Sequence, residues 1–182
     1  PLARFASPPT QRVAAGPSPT VFGDTQVAPR PSNLSDELVG QLIGERYRVV
    51  RLIGQGGMGR VYLAQHVKIE RPVALKFLHR SLSHEPEAVL RFRREAMIAS
   101  RIMHPNVAAI YDAGETPDHL VYLAMEYVEG VPLSEMIRNE GTMPVARAVH
   151  LARQIAEALV AAHDMSVFHR DLKPDNVLVT RA

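Results

Sequence analysis

Ile53-Gly54-Gln55-Gly56-Gly57-Met58-Gly59-Arg60-Val61-Tyr62-Leu63 is the stretch on which the choice of fold turns. Gly54, Gly56 and Gly59 match the G-x-G-x-x-G spacing, which several phosphate-binding turns share. A dinucleotide-binding turn must open a helix, and an acid for the ribose follows about 20 residues on. Here the glycines run into β-branched and aromatic residues, and the corresponding position holds Lys76. A Walker loop needs Lys and then Ser or Thr after its last glycine, whereas Gly59 is followed by Arg60 and Val61. The surviving reading is a β-hairpin turn whose backbone amides can close over phosphates, with glycines removing side chains that would block the approach. A plain glycine turn is the alternative if nothing else in the chain fits.

The neighbouring segments extend the hairpin into a sheet. Tyr47 to Ile53 and Arg60 to Ala64 are β-prone and flank the turn, and Val73 to Leu78 supplies a third strand. Alternation puts Val73, Leu75 and Phe77 on one face and Ala74, Lys76 and Leu78 on the other. A helix is expected over 87–102, with Ala88, Phe92, Ile98, Ala99 and Ile102 on one side. Two more strands are expected near Val107 to Asp112 and His119 to Met125, with Gly114 and Pro117 marking the turn. After Gly130 strand signals fade, and Pro144 opens a long helix whose Val145, Val149, Ala152, Ala156 and Leu159 share a face.

Lys76 and Glu95 each place a charge on an apolar face. Burying an unpaired charge costs several kcal/mol, so the least costly arrangement pairs them across strand and helix. Either residue alone can be explained by a solvated charge at an edge. Both together are better explained by a contact.

His169-Arg170-Asp171-Leu172-Lys173-Pro174-Asp175-Asn176 packs an acid, cations and a carboxamide into one short loop. Phosphoryl transfer needs such groups together: a carboxylate for the hydroxyl proton, a cation against the moving phosphoryl, and an oxygen for magnesium.

With these landmarks in register, the chain from Tyr47 to Val179 resembles the eukaryotic-like (Hanks-type) serine/threonine protein kinases. Gly44 to Val49, the Gly-Gly-Met-Gly turn and His104-Pro105-Asn106 are most similar to the bacterial type. The resemblance implies an α+β, two-lobed kinase fold with a complete N-lobe, a five-stranded antiparallel sheet plus one helix, over 44–128. Residues 129–182 would be the start of a helical C-lobe. It implies ATP and magnesium as cofactors, and protein serine or threonine hydroxyls as acceptors. Asp171 would take the hydroxyl proton and Lys173 would neutralise the transferred phosphoryl. Lys76, set by Glu95, would hold the α and β phosphates, and Asn176 would bind one magnesium. The nucleotide loop would comprise Ile53, Gly54, Gln55, Gly56, Gly57, Met58, Gly59, Arg60 and Val61. Ile53, Val61, Ala74 and Leu178 would sandwich adenine, with Met125 behind it and the backbones of Glu126 and Val128 on the purine edge. Arg170 resembles the arginine of kinases switched on by activation-loop phosphorylation.

Only Val177, Leu178, Val179, Thr180, Arg181 and Ala182 follow Asn176. The Asp-Phe-Gly magnesium motif, activation segment and remaining large-lobe helices of the family are not among them. The chain is therefore expected to be a fragment, clipped at both ends and close to inactive by itself. The competing expectation is a truncated, non-catalytic nucleotide-binding or scaffold module. Pseudokinases often lose the residues matching Lys76, Asp171 or the glycines, and none is lost here.

Composition agrees with a soluble globular chain. It has 182 residues, 46% hydrophobic, with a formal charge of +2 and no cysteine, which argues against nucleic acid and excludes disulfide, zinc-finger and thiol chemistry. No run reaches the roughly 18 apolar residues of a membrane span. A cytoplasmic location is expected, although bacterial relatives often carry a membrane anchor and sensor domain elsewhere. The sequence does not indicate an oligomeric state. Residues 1–40 read as a disordered, Pro-rich linker.

Overall fold

The structure, a computed structural model, describes residues 3–5, 37–56 and 59–180. Its elements begin with β1 (Ala3–Phe5), β2 (Leu42–Ile43), β3 (Tyr47–Gly56), β4 (Gly59–His66) and β5 (Arg71–Leu78). A short α1 (Arg80–Ser83) and α2 (Pro86–Ala99) precede β6 (Ile110–Glu115) and β7 (Val121–Glu126). β8 (Gly130–Pro132), α3 (Leu133–Glu140), α4 (Val145–Asp164), a 3-10 turn at Pro174–Asn176 and β9 (Val177–Thr180) complete the chain.

The larger sheet has the order β2-β3-β4-β5-β7-β6, and every pairing in it is antiparallel. The five expected strands are all present, and the two-residue β2 adds an edge. Gly114, expected in the turn, lies inside β6. A Cβ there or at Gly44 would run into the phenol of Tyr122, so both glycines make room for that ring. Tyr122 in turn meets Tyr47 (6.3 Å) and Phe77 (6.0 Å), and Phe77 meets Tyr62 edge-on at 5.6 Å. This aromatic cluster fills one face of the sheet with Val49, Val73 and Leu75. At its margin, Asp112 accepts from Arg46 Nη1 (2.9 Å) and from the Tyr47 hydroxyl (3.3 Å).

The opposite face carries Ala74, Leu123 and Met125 and is covered by α2 through Phe92 and Ala96. Pro86 opens α2 with Glu87 in its first turn, where an acid complements the helix dipole. The helix stops at Ala99, three residues short of expectation, while Ile102 is buried beyond it beside Ala162 and Val167.

The second body departs further from the sequence reading. Strands do return after Gly130: β9 pairs with β8 on one side and with β1 on the other. Ala3–Phe5 is therefore a strand, not linker, and Leu38 packs on the aromatic core, so both ends of the 1–40 segment depart from the expected disorder. The rest of that segment, 6–36, lies outside the described residues. Helix α4 buries Leu151, Gln154, Ala158 and Ala162. Of the stripe read from the sequence, Val145 (78%) and Val149 (62%) are exposed, and only Leu159 packs against the core formed with Val177 and Val179.

Candidate functional site

β5 carries Lys76 between Val61 on β4 and Leu123 on β7, its direct partners across the sheet. Alternation turns its side chain toward the α2 face, and it is only 9% exposed. Burial holds the ammonium below its ordinary pKa, opposed by the negative charge of Glu95 and, after it, of Asp171. Glu95 is half-buried on α2, and Asp171 is in the loop before β9. One buried cation therefore feels carboxylates from two separate elements, and strand, helix and loop converge on it.

The loop is organised around Asp171. Its amide donates to the carbonyl of His169 (2.7 Å), a three-residue turn that sets Arg170 at φ +59°. A side chain beyond glycine in that region stores strain and is found where the surroundings enforce it. Lys173 Nζ lies 3.2 Å from Asp171 Oδ2. Asn176 Nδ2 donates to the Asp171 carbonyl (2.7 Å) and to Oδ2 (3.1 Å). The hydrogen bond from Lys173 holds the Asp171 carboxyl below the usual range, reinforced by Asn176 and opposed by partial burial. Asp171 is thus ionised at neutral pH and able to accept a proton.

His169, to which sequence reasoning gave no role, is buried between these charges. Burial pushes its imidazole down, with Asp171 opposing and Lys76 adding to the effect. It is therefore held in its neutral form at pH 7. The His104-Pro105-Asn106 turn, read only as a family trait, has a structural purpose. Asn106 caps back on His104 Nδ1 (3.2 Å) and donates to the Gln154 carbonyl of α4 (3.3 Å), tying the segment after α2 to the second body.

The glycine stretch forms the tip of the β3–β4 hairpin, with Gly54 opposite Val61, Gln55 opposite Arg60 and Gly56 opposite Gly59. Gly57 and Met58 lie outside the described residues. The glycines are not equivalent. Gly59 has φ +149°, and a Cβ on it would strike the carbonyl oxygen of Phe77, so its requirement comes from packing against β5. A Cβ on Gly56 would meet nothing within 4 Å, and one on Gly54 only an ordinary contact with Val61 at 3.9 Å. The open side of the hairpin is at Gly54 and Gly56, a cradle that side chains would fill.

Among the apolar residues expected around adenine, Ile53, Val61, Ala74 and Met125 gather in one cluster. Met125 and Ala74 are buried in it, while Ile53 and Val61 are half-exposed at its rim. Val128 is buried just after β7, and Leu178 is half-buried on β9 opposite Pro132. The amide of Glu126 donates to the Ala109 carbonyl (2.7 Å), and Ala109 N–H donates to Glu126 Oε2 (3.2 Å). The Glu126 amide is thus engaged by Ala109.

A curled antiparallel sheet under one helix, with a buried lysine facing an Asp-Lys-Asn loop at the start of a helical body, is the protein kinase architecture. The chain belongs to the protein kinase domain family, which it matches over residues 47–182. Its relatives include the serine/threonine-protein kinase PrkC of Bacillus subtilis, 44% identical over 78% of this chain and 22% of that protein. The serine/threonine-protein kinase pkn3 of Myxococcus xanthus is 42% identical over 80% of this chain and 26% of its own length. The crystal structure of the Mycobacterium tuberculosis PknI kinase domain superposes with a TM-score of 0.65 at 35% identity, covering 74% of this chain and 54% of that one. The chain thus spans about a quarter of the curated relatives it matches. No helix among the described residues is long and apolar enough to cross a membrane.

Proposed function

We propose that these residues form the ATP site and phosphoryl-transfer centre of a cytoplasmic serine/threonine protein kinase, with the N-lobe at 44–128 and the C-lobe beginning at 129. The supporting observation is the electrostatic convergence of Lys76, Glu95 and Asp171. A cation buried where strand, helix and loop meet, next to the open tip of the glycine hairpin, is the kind of perturbed charge that marks a functional site, and phosphate is the ligand that suits it.

In this reading adenine lies between Ile53, Val61 and Ala74 on one side and Leu178 on the other, with Met125 behind it. The backbones of Glu126 and Val128 meet the purine edge, with the Val128 amide as the donor, since the Glu126 amide is engaged by Ala109. Gln55, Arg60 and the amides around Gly54 and Gly56 cover the phosphates, while Lys76 neutralises the α and β groups. The acceptor's serine or threonine oxygen attacks the γ phosphorus, the bond to the β–γ bridging oxygen breaks, and ADP leaves. Asp171 orients the hydroxyl and takes its proton, and Lys173 moves from Asp171 toward the transferred group. Magnesium, when bound, neutralises charge building on the phosphate oxygens. With its amide nitrogen bonded to Asp171, Asn176 would offer Oδ1 to the metal. This is a hard oxygen ligand of the type magnesium takes beside phosphate oxygens. Among the described residues, no group of three or more acids and histidines could hold a metal, and Asn176 would act together with the nucleotide's phosphate oxygens.

The test is phosphorylation by a polypeptide in which these residues continue into a complete kinase domain. Asp171→Ala should lower serine and threonine phosphorylation by roughly 10² to 10⁴. Undiminished activity would remove Asp171 from the reaction.

A further inference from the structure

Helix α2 gives the sheet few apolar atoms. Its buried positions are Ala88, Ala96 and Ala99, each one methyl, and the larger Phe92 and Ile98 are only half-buried. So small an apolar face specifies the roll of a helix weakly. Polar contacts at its flanks must then decide which way Glu95 points. From the same turn of the helix, Arg93 Nη2 lies 2.6 Å from Glu115 Oε2, at the end of β6. The other oxygen, Oε1, is 2.6 Å from His119 Nδ1 in the β6–β7 turn, so Glu115 is gripped from both sides. β6 pairs with β7, and β7 sets Leu123 beside Lys76, which makes this hairpin part of the rigid frame holding the lysine. Arg93 and Glu95 are two residues apart, about 200° around the helix axis, on opposite flanks of one turn.

We propose that Arg93 and Glu115 are positioning residues: their ion pair fixes the roll of α2 against the β6–β7 hairpin and so keeps Glu95 turned toward Lys76. Arg93 and Glu115 are 50% and 34% exposed, and an ion pair so placed contributes little to global stability. Its effect is on the position of one helix. For nucleotide binding the consequence rests on the ATP-site reading, while the effect on Lys76 does not.

The 182-residue chain has three lysines, Lys68, Lys76 and Lys173, so the Lys76 side chain can be titrated by NMR of a 13C-lysine sample. The groups acting on it are Glu95, Asp171 and, from the loop, His169. The sign of the change discriminates. Arg93 is not among these groups, so removing its charge would by itself leave the Lys76 midpoint where it is or raise it slightly, because one cation repels another. If α2 rolls and Glu95 withdraws, the midpoint falls. Arg93→Ala should lower it, and should have no further effect in a Glu95→Gln background. The exchange Arg93→Glu with Glu115→Arg should restore the wild-type midpoint. MgATP affinity should weaken roughly two- to fivefold in Arg93→Ala and recover in the exchange, with the melting temperature nearly constant. An unchanged or raised midpoint, or an exchange that folds without restoring it, overturns the proposal. If the wild-type chain binds no MgATP, the ATP-site reading fails and the Lys76 midpoint alone decides the role of Arg93.

Discussion

Tyr47 shows at the residue scale how one contact sets a pH dependence. Its phenol is pushed up to about 12, first by burial and then by the charge of Asp112, to which it donates a hydrogen bond. The unfolded phenol ionises near pH 10, so between those values the folded state keeps a proton that the unfolded state has lost. Stability from this group is complete below pH 10 and is lost as pH rises toward about 12. Lys76 works in the opposite direction. Its lowered pKa penalises the folded state while the lysine is charged, and the penalty is relieved as pH rises. Comparing Tyr47→Phe with wild type in urea unfolding isolates the first effect. The variant should lose less stability between pH 10 and 12, and an equal loss in both would show that Tyr47 titrates normally. Lys76, Glu95 and Asp171 could be picked out from sequence because a charge on an apolar face, or in a dense polar loop, is conspicuous before any packing is known. His169 and Asn106 could not, because their roles depend on what closes over them from distant elements.

At the scale of elements, the β3–β4 hairpin divides its glycines between ligand approach and self-packing. Gly56→Ala adds a methyl to open space, so stability should hold or rise by about 0.4–1 kcal/mol while MgATP affinity falls. Gly59→Ala drives a Cβ into the Phe77 carbonyl from a left-handed backbone and should cost roughly 1–3 kcal/mol or more. Urea unfolding and nucleotide titration of both variants check this. Wild-type affinity in Gly56→Ala, or wild-type stability in Gly59→Ala, contradicts it. The G-x-G-x-x-G spacing marks all three positions alike, since the distinction lies in the neighbouring strand. Helix α4 shows a related limit. Apolar residues recur at helical spacing along two of its sides, Val145 to Leu159 and Leu151 to Ala162. Periodicity detects both sides, but only the placement of α3 and β9 decides which is covered. The β8–β9 pairing itself was missed because a three-residue strand such as Gly130–Pro132 carries no alternation to read.

In the molecule as a whole, the sheet body was legible almost strand for strand because its alternation is regular and its glycine turn excludes the competing folds. The second body was less legible, being built from short strands and one helix whose partners are remote in sequence. Joining the two bodies brings Lys76 into the field of Asp171, 95 positions later in the chain. The central claim is that this junction is a nucleotide site, and it needs no turnover to test. MgATP at about 100 times its Kd should raise the melting temperature of the 182-residue chain by roughly 5–10 °C. Lys76→Met, folded but lacking the cation, should lose that rise. No shift in folded wild-type protein, or a full shift retained in Lys76→Met, would contradict the account.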